Sequence, residues 1–269
     1  QDCAQYALGK IYRDGQGVEK DIQKAVALFT LAATKENSFA AFALGKLYLA
    51  GDAALPRDPA AALKWLTYAA ELGNQFAQYR LGKLLLKGDD GIPKDVITAI
   101  RWLTAAAKQE NGYAEYALAL VYLTGEDAPK DSVKALSLLK RSAGRGNQFA
   151  QYRLGKLLLQ GEDAPKDVKA AIRWLTAAAE QGNQYAQYAL GKLYLLGKEV
   201  PKDRSSAIKW FQLAADQGNE YAQYFLKHMD DRLGQPPVAA VISLFHHLAN
   251  IFQEQNQPPP SGGVRVAVD

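Results

Sequence analysis

Cysteine, methionine and histidine are nearly absent, with one, one and three residues. The lone Cys3 excludes an internal disulfide, so no covalent staple holds the chain together. It stands where later repeats carry Phe or Tyr, which predicts a packed or end-frayed thiol, not a reactive one. Two of the histidines, His246 and His247, are neighbours, and on a helix neighbours point about 100° apart. Their rings therefore do not converge on one ion, and with His228 they read as polar-face side chains. No H-E-x-x-H, G-x-S-x-G or G-x-x-x-x-G-K-[ST] occurs, which removes zincin, serine-hydrolase and P-loop chemistry. No apolar run approaches the roughly 18 residues of a membrane span. Charge of one sign is scarce too: 32 cationic and 28 anionic side chains are interspersed, for a net +4. Such mixing reads as solvated surface. The expectation is a non-enzymatic chain with no cofactor, no metal site and no membrane segment.

Repetition is what the chain has in excess. Gly9, Gly45, Gly82, Ala119, Gly155 and Gly191 fall in register, at steps of 36, 37, 37, 36 and 36 residues. A fixed period of this size marks a stack of identical supersecondary units. Residues 186–220 show the unit most fully. Ala186, Leu190 and Tyr194 lie on one helical face with Gly191 beside them. Glycine costs roughly 1 kcal/mol inside a helix, so its return predicts close contact with a neighbouring helix. Gly15, Gly51, Gly88, Gly125, Gly161 and Gly197 end the first helix in a left-handed turn. Asp21, Asp58, Asp95, Asp131, Asp167 and Asp203 then cap a second helix. That helix carries A-x-x-W-x-x-x-A-A, and Trp65, Trp102, Trp174 and Trp210 are expected on its core face. It ends at Gly73, Gly146, Gly182 and Gly218, with Glu36 and Glu110 in the equivalent places.

These motifs, A-x-x-x-L-G-x-x-Y, G-x-x-x-P-K-D, A-x-x-W and A-A-x-x-G, resemble the Sel-one-like repeat family, a relative of the tetratricopeptide repeats. The resemblance implies an all-α, right-handed α/α solenoid that serves as a non-catalytic protein–protein interaction scaffold. Six repeats are expected at 4–39, 40–76, 77–113, 114–149, 150–185 and 186–221, with a partial seventh at 222–233. Residues 234–255 read as a linker and an amphipathic helix capping the stack, and 256–269 as a Pro/Gly-rich tail. The stretch 246–269 is similar to the region after the repeats in relaxase-type plasmid mobilisation proteins of gut Firmicutes. It implies the alternative of an accessory region assisting DNA or relaxosome contacts. A start at Gln1 suggests a piece of a longer chain. The expected location is the cytoplasm, with any targeting segment outside this sequence, and the expected state is a monomer.

Repeat four departs from type: Ala119 replaces Gly, Leu120 replaces Lys, Leu138 replaces Trp, and Gly144 falls in the second helix, where it is expected to interrupt. A softer joint and simple drift both fit. One recurrence exceeds what a helix pair needs. An aromatic lies two residues after the first-helix Ala, at Tyr6, Phe42, Tyr79, Tyr116, Tyr152, Tyr188 and Tyr224. Four residues later stands Lys10, Lys46, Lys83, Lys156 or Lys192, on the same face. Arg80 and Arg153 add to it where other repeats have Ala. In the related tetratricopeptide repeats these offsets face the concave groove. The candidate partner-binding ladder is therefore Tyr79, Arg80, Lys83, Tyr116, Tyr152, Arg153, Lys156, Tyr188 and Lys192. Aromatic shelves and cationic clamps suit a protein or peptide partner with acidic character or a free carboxylate; nucleic acid is the rival. The competing account is that the tyrosines pack between repeats and the lysines keep the face soluble.

Overall fold

A computed structural model describes residues 2–88 and 91–229. Its helices pair in sequence order: α1 (Asp2–Asp14) with α2 (Ile22–Ala33), α3 (Ser38–Ala50) with α4 (Pro59–Glu71), and α5 (Gln75–Lys87) with α6 (Val96–Lys108). Then α7 (Gly112–Thr124) pairs with α8 (Ser132–Gly144), α9 (Gln148–Gln160) with α10 (Val168–Glu180), and α11 (Gln184–Leu196) with α12 (Arg204–Asp216). The helix α13 (Glu220–Met229) begins a further unit. Among the described residues there is no strand, only an isolated bridge between Asp52 and Leu55. Each helix otherwise packs on the next, and α5 also touches α7. The molecule is an all-α repeat solenoid. The expected end of the seventh unit at 230–233, the 234–255 cap and the 256–269 tail lie outside the described residues.

Capping explains the sharp pairing. Each loop aspartate is fixed twice. The Asp58 N–H donates back to Tyr48 O at 2.9 Å, while its carboxylate accepts from Ala61 N at 2.9 Å. The other five cap aspartates repeat this geometry. At the opposite end Asn37, Asn74, Asn111, Asn147, Asn183 and Asn219 cap the first helices. Helix-ending Gly125, Gly161 and Gly197 sit in the left-handed region with ψ of 10°, 18° and 22°. Gly51 and Gly88 share their φ but have ψ of 162° and 151°. That conformation is essentially restricted to glycine. It occurs in the two loops that carry one extra residue, so the flip of one ψ absorbs the insertion.

The recurrent helix glycine is a contact residue. A Cβ on Gly45, Gly82 or Gly191 would lie 2.6 Å from Leu66, Leu103 or Phe211. Those partners identify the core position of the second helix: Phe29, Leu66, Leu103, Leu139, Leu175 and Phe211 are all fully buried. The tryptophans are one residue earlier, about 100° round the helix, and are only half-buried. All four pack against the core clusters from the edge. Their indoles also carry the preceding cation, with Lys64, Arg101 and Lys209 5.8, 5.1 and 5.7 Å from the rings of Trp65, Trp102 and Trp210. Gly144 does not interrupt α8 either. It is the last helical residue, in a helix of 13 residues like the other full second helices from α4 on.

A second set of contacts ties a first helix to the end of its own second helix and to the repeat before it. Gln78 on α5 donates to Ala70 O at 3.0 Å and accepts from Gln109, just past α6, at 2.9 Å. Gln151 with Gln181 and Gln187 with Gln217 do the same at 2.7 and 2.8 Å. In repeat four the rung is ionic. Glu115 is fully buried, and Arg141 and Arg145 reach it at 2.6 and 3.3 Å. Arg141 also donates to Ala107 O, the carbonyl that a glutamine at 115 would take. Repeat one has Gln5 with Lys35 at 3.2 Å, and repeat two the apolar pair Ala41 and Leu72 in the same register. Repeat four thus carries a charged version of the common rung.

Candidate functional site

The ladder residues occupy the first helices at i and i+4, so cation and aromatic share a face. Lys46 is 5.5 Å from the Phe42 ring and Lys83 5.8 Å from the Tyr79 ring. The rings themselves pack between repeats. Tyr6, Phe42, Tyr79, Tyr116, Tyr152 and Tyr188 each meet the aromatic that opens the next first helix: Phe39, Phe76, Tyr113, Phe149, Tyr185 and Tyr221, at 5.9–6.4 Å between centroids. Pairs of this kind contribute about 0.5–1.5 kcal/mol beyond area burial. Burial pushes the Tyr79 and Tyr152 phenols up to about 12 and raises Tyr116 and Tyr188 as well. The tyrosines are thus inter-repeat mortar first.

The lysines are more unusual. Lys46, Lys83, Lys156 and Lys192 are all lowered in pKa, first by burial. Like charges add to it: Arg13 and Arg80 beside Lys46, Arg80 and Lys87 beside Lys83, Arg153 and Lys192 beside Lys156. Lys156 falls to about 8. Asp14 pairs with Arg13 at 2.7 Å and also acts on Lys46, and Asp163 pairs with Lys130 at 2.8 Å. The Nε of Arg153 is buried with no hydrogen-bond partner.

The structure sorts the nine ladder residues into two groups. Tyr79, Arg80 and Lys83 on α5 adjoin Lys46 and Arg13. Tyr152, Lys156, Tyr188 and Lys192 on α9 and α11 line one cavity of about 230 Å³, with Arg153 behind them. Tyr116 stands between the groups, where Leu120 leaves a gap in the cations. Sequence reasoning missed Tyr185 and Tyr221, which line the same cavity, and Arg13. The signal was present: every repeat but the first carries an aromatic just before its first-helix Ala, the position noted only for Cys3. Cys3 itself is exposed, and His228 lies against the Tyr224 ring at 4.2 Å. Among the described residues no cluster of His, Cys, Asp or Glu could hold a metal, and no helix is long and apolar enough to cross a membrane.

The Sel1 repeat family matches residues 4–37, 38–74, 75–111, 112–147, 148–183 and 184–219. The chain belongs to the Sel1 repeat family. Proteins of this family generally mediate protein–protein interactions and are generally non-catalytic. No curated protein matches the chain. Among solved structures, a Sel1 repeat protein from Oxalobacter formigenes superposes with a TM-score of 0.78 at 34% identity, over 86% of this chain and 66% of that one. The c5321 protein, a protective antigen of uropathogenic Escherichia coli with an SLR fold, gives 0.76 at 34% identity, over 87% of this chain and 50% of that one. The chain thus spans about half to two thirds of these relatives. The immunity protein PA5088 of Pseudomonas aeruginosa, at 19% identity and a TM-score of 0.51, shares the fold.

Proposed function

We propose that the chain is a non-catalytic scaffold that holds an acidic segment of a partner protein along the inner face of its first helices. The carrying observation is the row of cations on the first helices, with Lys46, Arg80 and Lys83 exposed and Arg153, Lys156 and Lys192 half-buried. Gathering like charges along one face opposes folding; an anionic ligand relieves that repulsion on binding. The aromatic edges between the cations supply apolar shelves at the repeat spacing. A lone chain suffices for this surface. The relaxase alternative rests on residues 246–269, outside the described part, and no described residue favours it.

The test is fluorescence anisotropy with a labelled peptide of alternating Asp and Leu, its Lys–Leu counterpart, and a single-stranded oligonucleotide. The acidic peptide is expected to bind and the basic one to fail. Arg80→Ala, Lys83→Ala, Arg153→Ala and Lys156→Ala together should weaken binding by about tenfold or more, with the thermal midpoint retained or raised. Equal binding by that variant overturns the reading. So does tighter binding of the oligonucleotide with affinity falling steeply in log salt.

A further inference from the structure

We infer that the cavity between α9, α11 and the start of α13 seats one bulky apolar side chain projecting from the partner's segment. The inference rests on the acidic-segment reading above and adds an anchor to it at one place.

Three observations converge there. The first is the wall. Two ring pairs frame the cavity, Tyr152 with Tyr185 and Tyr188 with Tyr221, each 6.0 Å between centroids. Leu159 and Leu193 add aliphatic surface, and Leu196, 38% exposed, carries the lining out to solvent. The second is that the polar groups there are already engaged. The Tyr188 phenol oxygen is sealed from solvent, so its ring alone can meet an occupant. Lys156, Lys192 and Tyr221 interact with other groups of the protein, and Asn219 accepts from Ala222 N at 3.0 Å as the cap of α13. The third is the origin of the hollow. Ala189 lies in the lining, directly after the ladder aromatic. The repeats on either side place Arg153 and Phe225 in that register, and Phe225 packs against Tyr188 and Phe211 at 6.1 and 5.1 Å. A small side chain between two large ones leaves room for a third.

Those features define the occupant. A lysine or arginine would meet two lysines and no carboxylate in the lining, and burying an unpaired charge is costly. A carboxylate would have to displace interactions that the lysines already make. A neutral apolar group needs no partner and gains by leaving water. The volume of about 230 Å³ is below the roughly 300–1,000 Å³ of pockets for drug-sized molecules, which favours one side chain over a free ligand. Leucine, isoleucine or phenylalanine within an acidic segment meets these terms. The apolar side chain anchors the segment, as a buried residue at the centre of an interface does, while the carboxylates flanking it lie along the row of cations.

Isothermal titration of the full chain tests this. The probes are a capped peptide of alternating Asp and Ser with Leu at its centre, its counterpart with a central Ala, its counterpart with Ser for every Asp, and N-acetyl-leucine amide. The Leu peptide should bind at least about tenfold tighter than the Ala peptide, from the methylenes it takes out of water. Ala189→Phe fills the hollow with the bulk that Phe225 has in the next unit, and that advantage should then vanish, with the thermal midpoint reporting that the variant is folded. Leu196→Ala, at the exposed rim, serves the same comparison should the filled variant fail to fold, with the advantage reduced severalfold. Equal affinity of the Leu and Ala peptides for the native chain, an advantage unchanged in the folded variants, or N-acetyl-leucine amide binding as tightly as the Leu peptide overturns the inference. In the first of these cases the acidic-segment reading still stands. If the Ser-for-Asp peptide binds as tightly as the acidic one, that reading fails and the anchor remains.

Discussion

At the scale of single residues, Lys156 shows how a side chain can oppose folding and still be kept. Its ammonium is half-buried beside Arg153 and Lys192, and its pKa falls from 10.5 to about 8. The unfolded chain therefore binds more protons than the folded one between those two values. Stability contributed by this site rises with pH across the window, and below pH 8 its full penalty applies. Lys156→Met is expected to stabilise the protein at pH 7 by about 1–2 kcal/mol once solvent screening is allowed for. The gain should shrink as pH rises from about 8 toward 10.5. Chemical denaturation of both proteins at several pH values checks this; a gain that grows with pH would contradict the assignment.

At the scale of helices, the charged rung between α7 and α8 makes an asymmetric prediction. Arg141 and Arg145 are partly exposed, whereas Glu115 is fully buried. Removing the arginines strands a buried carboxylate, which typically costs about 3–5 kcal/mol. Glu115→Gln restores the residue of the neighbouring repeats, with Ala107 O available to its amide, and leaves the arginines free to reach water. Thermal denaturation should show Arg141→Ala with Arg145→Ala far less stable than Glu115→Gln. None of this was legible in the sequence, because glutamine and arginine near a helix end read as ordinary surface. The 36-residue register, the caps and the helix-contact glycines were legible, since each needs a particular residue type at a particular backbone position. Tryptophan marked the core face but not its centre: it is large, apolar and periodic, yet the smaller Leu66, Leu103 and Leu175 beside it are the fully buried ones. The ladder's face was readable from i, i+4 spacing, but not its division into two clusters, which arises from Leu120 and from packing across repeats.

At the scale of the whole molecule, the contacts fall into two kinds. Those between repeats are nearly uniform: an aromatic pair at each junction, and loop ion pairs such as Lys94–Asp127, Lys130–Asp163 and Lys166–Glu199 at 2.6–2.8 Å. Those within a repeat are private, because each rung is matched to its own partner. Two deletions of 36 residues separate the kinds. Removing 148–183 joins Asn147 to Gln184 and leaves every remaining rung intact. Removing 130–165 joins α7 to α10, giving Glu115 the neighbours Ala177 and Gln181 instead of its arginines. The first product should unfold cooperatively with a helix signal reduced by one repeat. The second should be several kcal/mol less stable, on the order of the loss of a buried ion pair, as read by urea titration. The rungs thereby act as a grammar for recombination. The stretches 77–86 and 150–159 are identical and both belong to Gln–Gln repeats, so a crossover there yields a well-formed array. Repeat four, with its private acid and bases, can be inherited or lost only as an undivided block.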